Sequence, residues 1–187
     1  VGDDQKQHLE LCRDIAQKFN NDFKMDDFFK IPEPLIQKEF SRIMSLKDGL
    51  KKMSKSELSD LSRINLTDSK DQIINKIKKA KTDTFPLPNS IDELNKRPEA
   101  KNLIGIYCSL TNTTLENSIK KFSGKNFSEF KESLSLVLVE KISPVSLEIK
   151  KIMDDKSYVD KILNDGFEKA NEIASKKLKK IHEILGF

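Results

Sequence analysis

From Thr67 to the carboxyl terminus, apolar residues recur at the three- and four-residue spacing that places side chains on one face of an α-helix. No stretch of this region alternates apolar and polar residues convincingly enough to predict a strand. Residues that end helices, such as Gly124, divide the pattern into segments of ordinary helix length. The sequence therefore predicts an all-helical domain over residues 67–187.

Several helix starts in this region are marked by residues with a known preference for that position. They are expected at Thr67, Asp68 or Ser69, at Pro98, and at Thr113 or Thr114. The longest helical tract, residues 126–155, contains Pro144, whose ring removes one intrahelical hydrogen bond and clashes with the preceding turn. We expect Pro144 to kink this helix or split it. Two further helices, residues 157–164 and 166–185, are predicted to follow.

The first third of the chain has a different pattern. A helix is predicted from Asp4 to Phe19, and a loop containing Pro32 and Pro34 follows it. Residues 40–46, FSRIMSL, alternate apolar and polar side chains and predict a short strand. The first residues, VGDDQ, resemble the junction of a strand with a helix. We therefore interpret the region up to residue 66 as the remnant of an α/β domain, and the chain as a fragment.

Composition excludes few functions. The chain has 187 residues, with 34 basic and 30 acidic side chains, and a net charge of +4 is too small to indicate nucleic-acid binding by itself. No apolar run approaches the roughly 18 residues of a membrane span, and no signal segment is recognisable. Cys12 and Cys108 lie in apolar helical patterns and are expected to be buried, reduced thiols. These features predict a soluble, cytoplasmic protein.

A short polar run contains the residues with the clearest chemical potential. Residues 52–56, the signature loop, read Lys52, Met53, Ser54, Lys55 and Ser56. Two ammonium groups on a mobile loop can follow the charge of a phosphate chain as it reacts, and serine hydroxyls add directed hydrogen bonds. The loop thus suits stabilisation of departing pyrophosphate. The alternative is an ordinary solvated loop, because such combinations are common in lysine-rich proteins.

The amino-terminal residues offer further candidates. Gly2 permits a ligand to approach the backbone closely at a strand-to-helix turn. Asp4 is placed to accept hydrogen bonds from ribose hydroxyls, or is only an acid that interacts favourably with the helix dipole. Gln5 either binds a small polar substrate or faces water.

An ordered set of segments resembles one family over practically the whole chain. The segments VGDDQKQHLEL, RIMSL and KKMSKSE are followed by LTDSKDQIINKIKKAKTD, NLIGIYCSLTN, FSEFKESLSLVLVEKISP and ILNDGFEKANEIASKKL. Together they are similar to the carboxy-terminal part of the tryptophanyl-tRNA synthetases, which are class I aminoacyl-tRNA synthetases. The tyrosine-type enzymes share the fold and the signature loop, but usually carry a serine-containing variant where this chain has VGDDQKQH.

The resemblance implies a mostly α chain with two functional domains. Residues 1–66 would be the carboxy-terminal part of a Rossmann-type catalytic domain, including the KMSKS loop. Residues 67–187 would be a helical tRNA anticodon-binding domain whose last helix can pack back on the catalytic domain. The implied reaction uses ATP and Mg²⁺ to activate tryptophan and then transfers it to tRNA(Trp). The parent enzyme is expected to be a homodimer.

The resemblance also implies roles for individual residues. Gly2 and Asp4 would hold the ATP ribose, and Gln5 the amino group of tryptophan. Backbone groups of Ile43 and Met53 would recognise adenine. Lys52, Ser54 and Lys55 would bind the triphosphate. The family's histidine-containing ATP motif is absent from this sequence, so we do not expect the chain to catalyse adenylation alone.

Lysine-rich helix faces suggest contacts with tRNA phosphates. The candidates are Lys70, Lys76, Lys78, Lys79 and Lys81 on one helix and Lys169, Lys176, Lys177, Lys179 and Lys180 on the last. The alternative for each lysine is a solvated face. Two other classes of function stay open, namely a non-catalytic helical RNA-binding module and a helical scaffold for protein partners.

Overall fold

The structure is a computed structural model that describes residue 2, residues 5–36 and residues 42–187. The α-helices of these residues are α1 Lys6–Asp22, α2 Lys70–Lys79, α3 Ile91–Asn95, α4 Pro98–Thr111, α5 Leu115–Phe122, α6 Phe127–Asp154 and α7 Lys156–Leu185. A 3-10 helix, Asp60–Ser62, precedes α2. Within the described residues, β structure is limited to one isolated antiparallel bridge, between Met44 and Lys52. The predicted mostly α fold is confirmed.

The described residues divide into two compact units. The terminal unit comprises residues 5–35 and 149–187, and the central unit comprises residues 2, 36 and 42–148. These are structural units, and the functional domains 1–66 and 67–187 stay a prediction. No helix in the described parts of the chain is long and apolar enough to cross a membrane.

The core of the central unit is built where α2, α4, α5 and the first half of α6 meet. Phe130 has no exposed surface, and its ring lies 4.9 Å from that of Phe122, which in turn lies 5.0 Å from the Tyr107 ring. Aliphatic side chains fill the remaining space; they include Ile73, Ile77, Leu103, Ile104 and Leu134. This core fixes the helices that carry the hairpin described below.

Local signals in the sequence explain how these helices begin and end. Ser69 and Gln72 form a capping box at the start of α2, in which each side chain bonds the other's backbone N–H. Pro98 occupies the first turn of α4, and the Thr114 hydroxyl caps α5. Gly124 has a φ of +71°, which favours glycine after a helix end. The predicted starts at these positions are confirmed.

The terminal unit is held by aromatic contacts. Phe19 on α1 packs against Phe28 and Phe29, with ring centroids 5.3 and 5.0 Å away. The Lys177 ammonium of α7 lies 3.6 Å from the centroid of the Phe28 ring and donates to the Phe28 carbonyl oxygen. No side chain of α7 is buried, and Phe167 and Ile173 are 66% and 75% exposed. The apolar stripe predicted for the last helix is therefore a surface of this unit.

The predicted splits at Pro144 and before Gly166 are wrong, whereas the alternative of a kink at Pro144 stays a prediction. α6 continues through Pro144, which is exposed on a side where water can replace the lost backbone hydrogen bond. α7 continues through Gly166, because the roughly 1 kcal/mol penalty of one glycine is outweighed by the surrounding helix-forming residues. The short helix α3 was missed because prolines precede and follow it. Cys108 is buried as expected, whereas Cys12 is exposed.

Candidate functional site

The signature loop begins within the second arm of a short hairpin, residues 42–53, and extends beyond it. Met44 and Lys52 face each other in the antiparallel bridge. On either side of that pair, the Met53 N–H donates to the Ile43 carbonyl oxygen at 3.0 Å and the Ser45 N–H donates to the Lys51 carbonyl oxygen at 2.8 Å. Of the predicted strand 40–46, residues 40 and 41 lie outside the described part of the chain. The remaining residues form this hairpin rather than a strand of a sheet.

The signature loop presents two lysines to solvent. Lys52 and Lys55 are exposed, and neither ammonium group forms an ion pair within the described residues. The Ser54 and Ser56 hydroxyl oxygens lie 2.8 Å apart, and the Ser54 oxygen also accepts from the Ser56 N–H at 3.3 Å. These local bonds shape the loop without using its positive charges. The charges are thus available to an anionic ligand.

Backbone bonds attach the hairpin to the helical part of the central unit. The Leu46 N–H donates to the Ser62 carbonyl oxygen at 2.8 Å, and the Leu46 carbonyl oxygen accepts from the Lys81 N–H at 2.7 Å. Leu46 itself is buried, with 2% of its surface exposed. The hairpin is therefore continuous with the helical core.

The hairpin turn also lies against the start of α4. A Cβ added to Gly49 would lie 2.6 Å from the Glu99 nitrogen and from the Pro98 carbonyl carbon, so only glycine fits there. The Lys81 ammonium lies 2.9 Å from the Glu99 carboxylate. The hydrogen bond from Lys81 lowers the pKa of Glu99, and the Gly49 N–H acts in the same direction. Glu99 thus joins the turn to both α4 and the end of α2.

Asn102 makes a further attachment, to the outer edge of the hairpin. Its side-chain oxygen accepts from the Met44 N–H at 2.9 Å, and its side-chain nitrogen donates to the Met44 carbonyl oxygen at 2.8 Å. The residue is only 8% exposed. Sequence reasoning missed it, although a lone amide among the buried apolar residues of α4 is a recognisable signal.

The segment that follows the signature loop is held by a network of charges. The Lys76 ammonium lies 2.6 Å from Asp68 and 2.7 Å from Asp60, and the Asn65 side chain donates to Asp60 at 2.9 Å. The hydrogen bond from Lys76 lowers the pKa of the Asp60 carboxyl. Lys76 is 2% exposed, so its predicted contact with tRNA phosphate is wrong. The apolar periodicity of α2 could not show that this lysine points inward.

Other lysines of the predicted basic faces are also engaged. Lys81 pairs with Glu99, Lys176 lies 2.8 Å from Glu172 on α7, and Lys177 packs on Phe28. Lys70, Lys78 and Lys79 are exposed, as are Lys169, Lys179 and Lys180. The exposed set is the part of the prediction that remains compatible with phosphate contacts.

The amino-terminal candidates are less well defined. Gly2 is half-buried, Gln5 lies just before α1 and is exposed, and Asp4 lies outside the described residues. Gln5 belongs to the terminal unit and the signature loop to the central unit. Within the described ranges, no group of three or more histidine, cysteine, aspartate or glutamate residues could hold a metal ion.

Comparison with known proteins identifies the family. The model for tRNA synthetases class I (W and Y) matches residues 1–142. The whole chain aligns with tryptophan–tRNA ligases, at 50% identity with that of Caulobacter vibrioides and 47% with that of Brucella melitensis. The chain therefore belongs to the class I tRNA synthetases of the tryptophan and tyrosine type. It spans only 54% and 58% of the length of these two relatives.

Solved structures agree with this assignment. Tryptophanyl-tRNA synthetase from Mycoplasma pneumoniae superposes with a TM-score of 0.84 at 29% identity, over the whole chain and 55% of that protein. The Campylobacter jejuni enzyme, crystallised with ADP and tryptophan, gives a TM-score of 0.66 at 26% identity, over the whole chain and 56% of that protein. Both similarities include the central unit and therefore the hairpin.

Proposed function

We propose that the chain is the carboxy-terminal portion of a cytoplasmic tryptophan–tRNA ligase, which joins tryptophan to AMP with the use of ATP and transfers the amino acid to tRNA(Trp). The observation that carries the proposal is the position of the signature loop. In a chain of this family, a hairpin attached to a helical core presents two lysines that have no ion-pair partner among the described residues. The ligand of the Campylobacter enzyme, ADP with tryptophan, agrees with this chemistry.

Lys52, Ser54 and Lys55 would bind the triphosphate and stabilise the departing pyrophosphate. Negative charge grows on the leaving phosphates as the bond to the α-phosphate breaks, and a nearby ammonium group lowers the energy of that state. Lysine suits the role because its compact charge sits on a flexible stem. Mg²⁺ would enter bound to the phosphate oxygens, as is usual for this ion.

Backbone groups of Ile43 and Met53 would recognise adenine. In the described conformation the Met53 N–H already donates to the Ile43 carbonyl oxygen. A carbonyl oxygen has two lone pairs, so Ile43 can accept a second hydrogen bond from the adenine amino group. Gly2 and Asp4 would bind the ATP ribose, and Gln5 would bind the tryptophan amino group.

The helical domain, residues 67–187, would bind the tRNA anticodon region, with exposed lysines contacting its phosphates and an affinity that falls steeply with salt. The parent enzyme would be a homodimer. Its remaining part would cover apolar side chains such as Phe167 and Ile173, which this chain exposes, and would supply the other half of the ATP site. The chain alone would be inactive in adenylation.

Complementation tests the proposal. The part of the Caulobacter vibrioides ligase outside the matched 54% would be fused to this chain, and tryptophan-dependent ATP–pyrophosphate exchange would be measured. We expect exchange with the fusion and none with either part alone. Exchange with tyrosine instead would assign the chain to the tyrosine type. Salt-dependent tRNA binding without any exchange would favour a non-catalytic RNA-binding module.

A further inference from the structure

The side chain of Asn102 acts as a one-residue strand beside the hairpin. Its amide donates to the Met44 carbonyl oxygen at 2.8 Å and accepts from the Met44 N–H at 2.9 Å. The same nitrogen lies 3.5 Å from the Ser45 carbonyl oxygen. A backbone segment makes this pair of bonds in a sheet, and here one side chain of α4 makes both.

The position of Met44 gives these bonds their significance. In an antiparallel pair, the backbone groups of successive residues point alternately toward and away from the partner segment. Ile43 and Ser45 use theirs to bond Met53 and Lys51, so the Met44 groups point to the opposite edge. Asn102 therefore holds the hairpin from the side away from the signature loop. Contacts with adenine through Ile43 and Met53 would depend on that support.

We propose that Asn102 is a positioning residue for nucleotide binding, because its amide fixes the Met44 backbone and with it the Ile43–Met53 pair and the start of the signature loop. The nucleotide part of this inference rests on the proposed function. Asparagine suits the position because its short side chain has one donor group and one acceptor group side by side. An aspartate at this position would accept from the Met44 N–H but would repel the Met44 carbonyl oxygen.

Protonation makes the aspartate variant a reversible switch. In Asn102→Asp, a protonated carboxyl again offers a donor and an acceptor, whereas the carboxylate is acceptor-only. Burial beside a carbonyl oxygen raises the pKa of such a group, so the two forms can be compared near neutral pH. Asn117→Asp is the matched control, because it adds the same charge at an exposed position of α5. Asn102→Ala removes both bonds at every pH without adding a charge.

The first experiment measures amide hydrogen exchange in the 187-residue chain, normalised to the intrinsic rate at each pH. We expect Asn102→Asp at pH 7.5 to speed exchange of the Met53 amide by about tenfold, the loss of roughly one hydrogen bond. Protection should return near pH 5. The Met53 amide should exchange fast at both pH values in Asn102→Ala, and Asn117→Asp should match the unaltered chain. Unchanged exchange at Met53 in both Asn102 variants would overturn the proposal.

The second experiment uses the Caulobacter fusion and separates KM from kcat. We expect Asn102→Ala to raise the KM for ATP about tenfold and to leave the KM for tryptophan within about twofold, since only the nucleotide touches the hairpin. If the KM values for ATP and for tryptophan rose equally, or if neither rose, Asn102 would have only a structural role and the proposal would be overturned. A fusion that is inactive with Asn102 intact would instead overturn the proposed function and the nucleotide role together. Amide exchange would still decide whether Asn102 holds the hairpin.

Discussion

The ammonium nitrogen of Lys76 lies 2.6 Å from a carboxylate oxygen of Asp68, and both side chains are almost completely buried, at 3% and 4% exposure. The same ammonium group reaches Asp60 in the 3-10 helix. Lys76 therefore holds residues 60 and 68, the two ends of a segment that follows the signature loop. A buried pair of this kind need not add net stability, but breaking it leaves a buried charge without its partner.

Lys76→Met should accordingly lower the free energy of unfolding by about 3–5 kcal/mol, because the Asp68 carboxylate stays buried. Urea denaturation followed by circular dichroism measures this change. Lys79→Met is the control, since Lys79 is an exposed residue of the same helix and should change the free energy by no more than about 0.5 kcal/mol. A loss below about 1 kcal/mol for Lys76→Met would show that the buried pair does not form as described.

The contact between the hairpin turn and α4 predicts an effect of Gly49→Ala. The new Cβ would lie 2.6 Å from two backbone atoms, which cannot rotate away as a side chain can. We expect a loss of about 1–3 kcal/mol in the free energy of unfolding. Gly166→Ala, inside α7, meets no atom within 4 Å and should instead stabilise by roughly 0.5–1 kcal/mol. Thermal unfolding of the two variants should thus shift in opposite directions.

Much of the helical architecture could be predicted because its signals are local. Ser69, Pro98 and Thr114 mark helix starts by their own chemistry, and the apolar spacing indicates which faces are buried. The predicted splits at Pro144 and Gly166 failed because the surrounding helical tract outweighs the penalty of each residue, about 3 kcal/mol for proline and about 1 kcal/mol for glycine. Whether one breaker ends a helix depends on what surrounds it.

Contacts between distant residues could not be predicted from one sequence. In the sequence Lys76 is one of several lysines of α2. Only the fold brings the Asp60 and Asp68 carboxylates next to its ammonium group. Asn102 lies 58 residues from Met44 in the chain. For the candidate site, the loop residues were recognised by type and order, whereas the supports of the hairpin required the structure.

Two lowered carboxyl pKa values predict how stability depends on pH. The pKa of Asp60 is lowered by the hydrogen bond from Lys76, and that of Glu99 by the hydrogen bond from Lys81. A carboxyl with a lowered pKa in the folded state contributes stability above its unfolded value of about 4, and loses it as the pH falls through the folded value. We expect the free energy of unfolding to decline below about pH 4.

At alkaline pH the free energy of unfolding should depend on Lys81. Its pKa is raised by the hydrogen bond to Glu99, so its contribution is complete below the ordinary lysine value of about 10.4 and disappears as the pH rises through the folded value. In Lys81→Met, the free energy of unfolding from urea denaturation should therefore decline less at both acid and alkaline pH than in the unaltered chain. Lys51→Met should alter neither, because Lys51 is exposed and lies 3.9 Å from Asp48. Superimposable pH profiles for the unaltered chain and Lys81→Met would contradict this account.

Arg97 is expected to resist replacement by lysine. Its guanidinium contacts both carboxylate oxygens of Asp83, at 2.6 and 2.8 Å, and donates to the Pro86 carbonyl oxygen at 2.7 Å. A lysine has a single charged nitrogen and cannot reproduce this fork. Arg97→Lys should cost about 2–3 kcal/mol by chemical denaturation, roughly one charged hydrogen bond. Lys96→Arg, at the exposed neighbouring position, should have little effect.

The last prediction concerns the charge of the signature loop. Lys55 is exposed and its ammonium group forms no ion pair within the described ranges, so Lys55→Ala should hardly change the free energy of unfolding of the chain. In the Caulobacter fusion, the same substitution removes the ammonium group that would stabilise the leaving pyrophosphate. Loss of one such electrostatic contact costs on the order of 10²–10³ in kcat.

Lys47→Ala, which removes an exposed lysine from the turn of the same hairpin, should keep full pyrophosphate exchange. Equal activity of the two variants would mean that net charge near the hairpin, rather than the lysine at position 55, assists the reaction. A large loss of stability in Lys55→Ala would instead mean that Lys55 stabilises the folded chain. A lysine whose only role is to bind phosphate should not affect stability when no phosphate is bound.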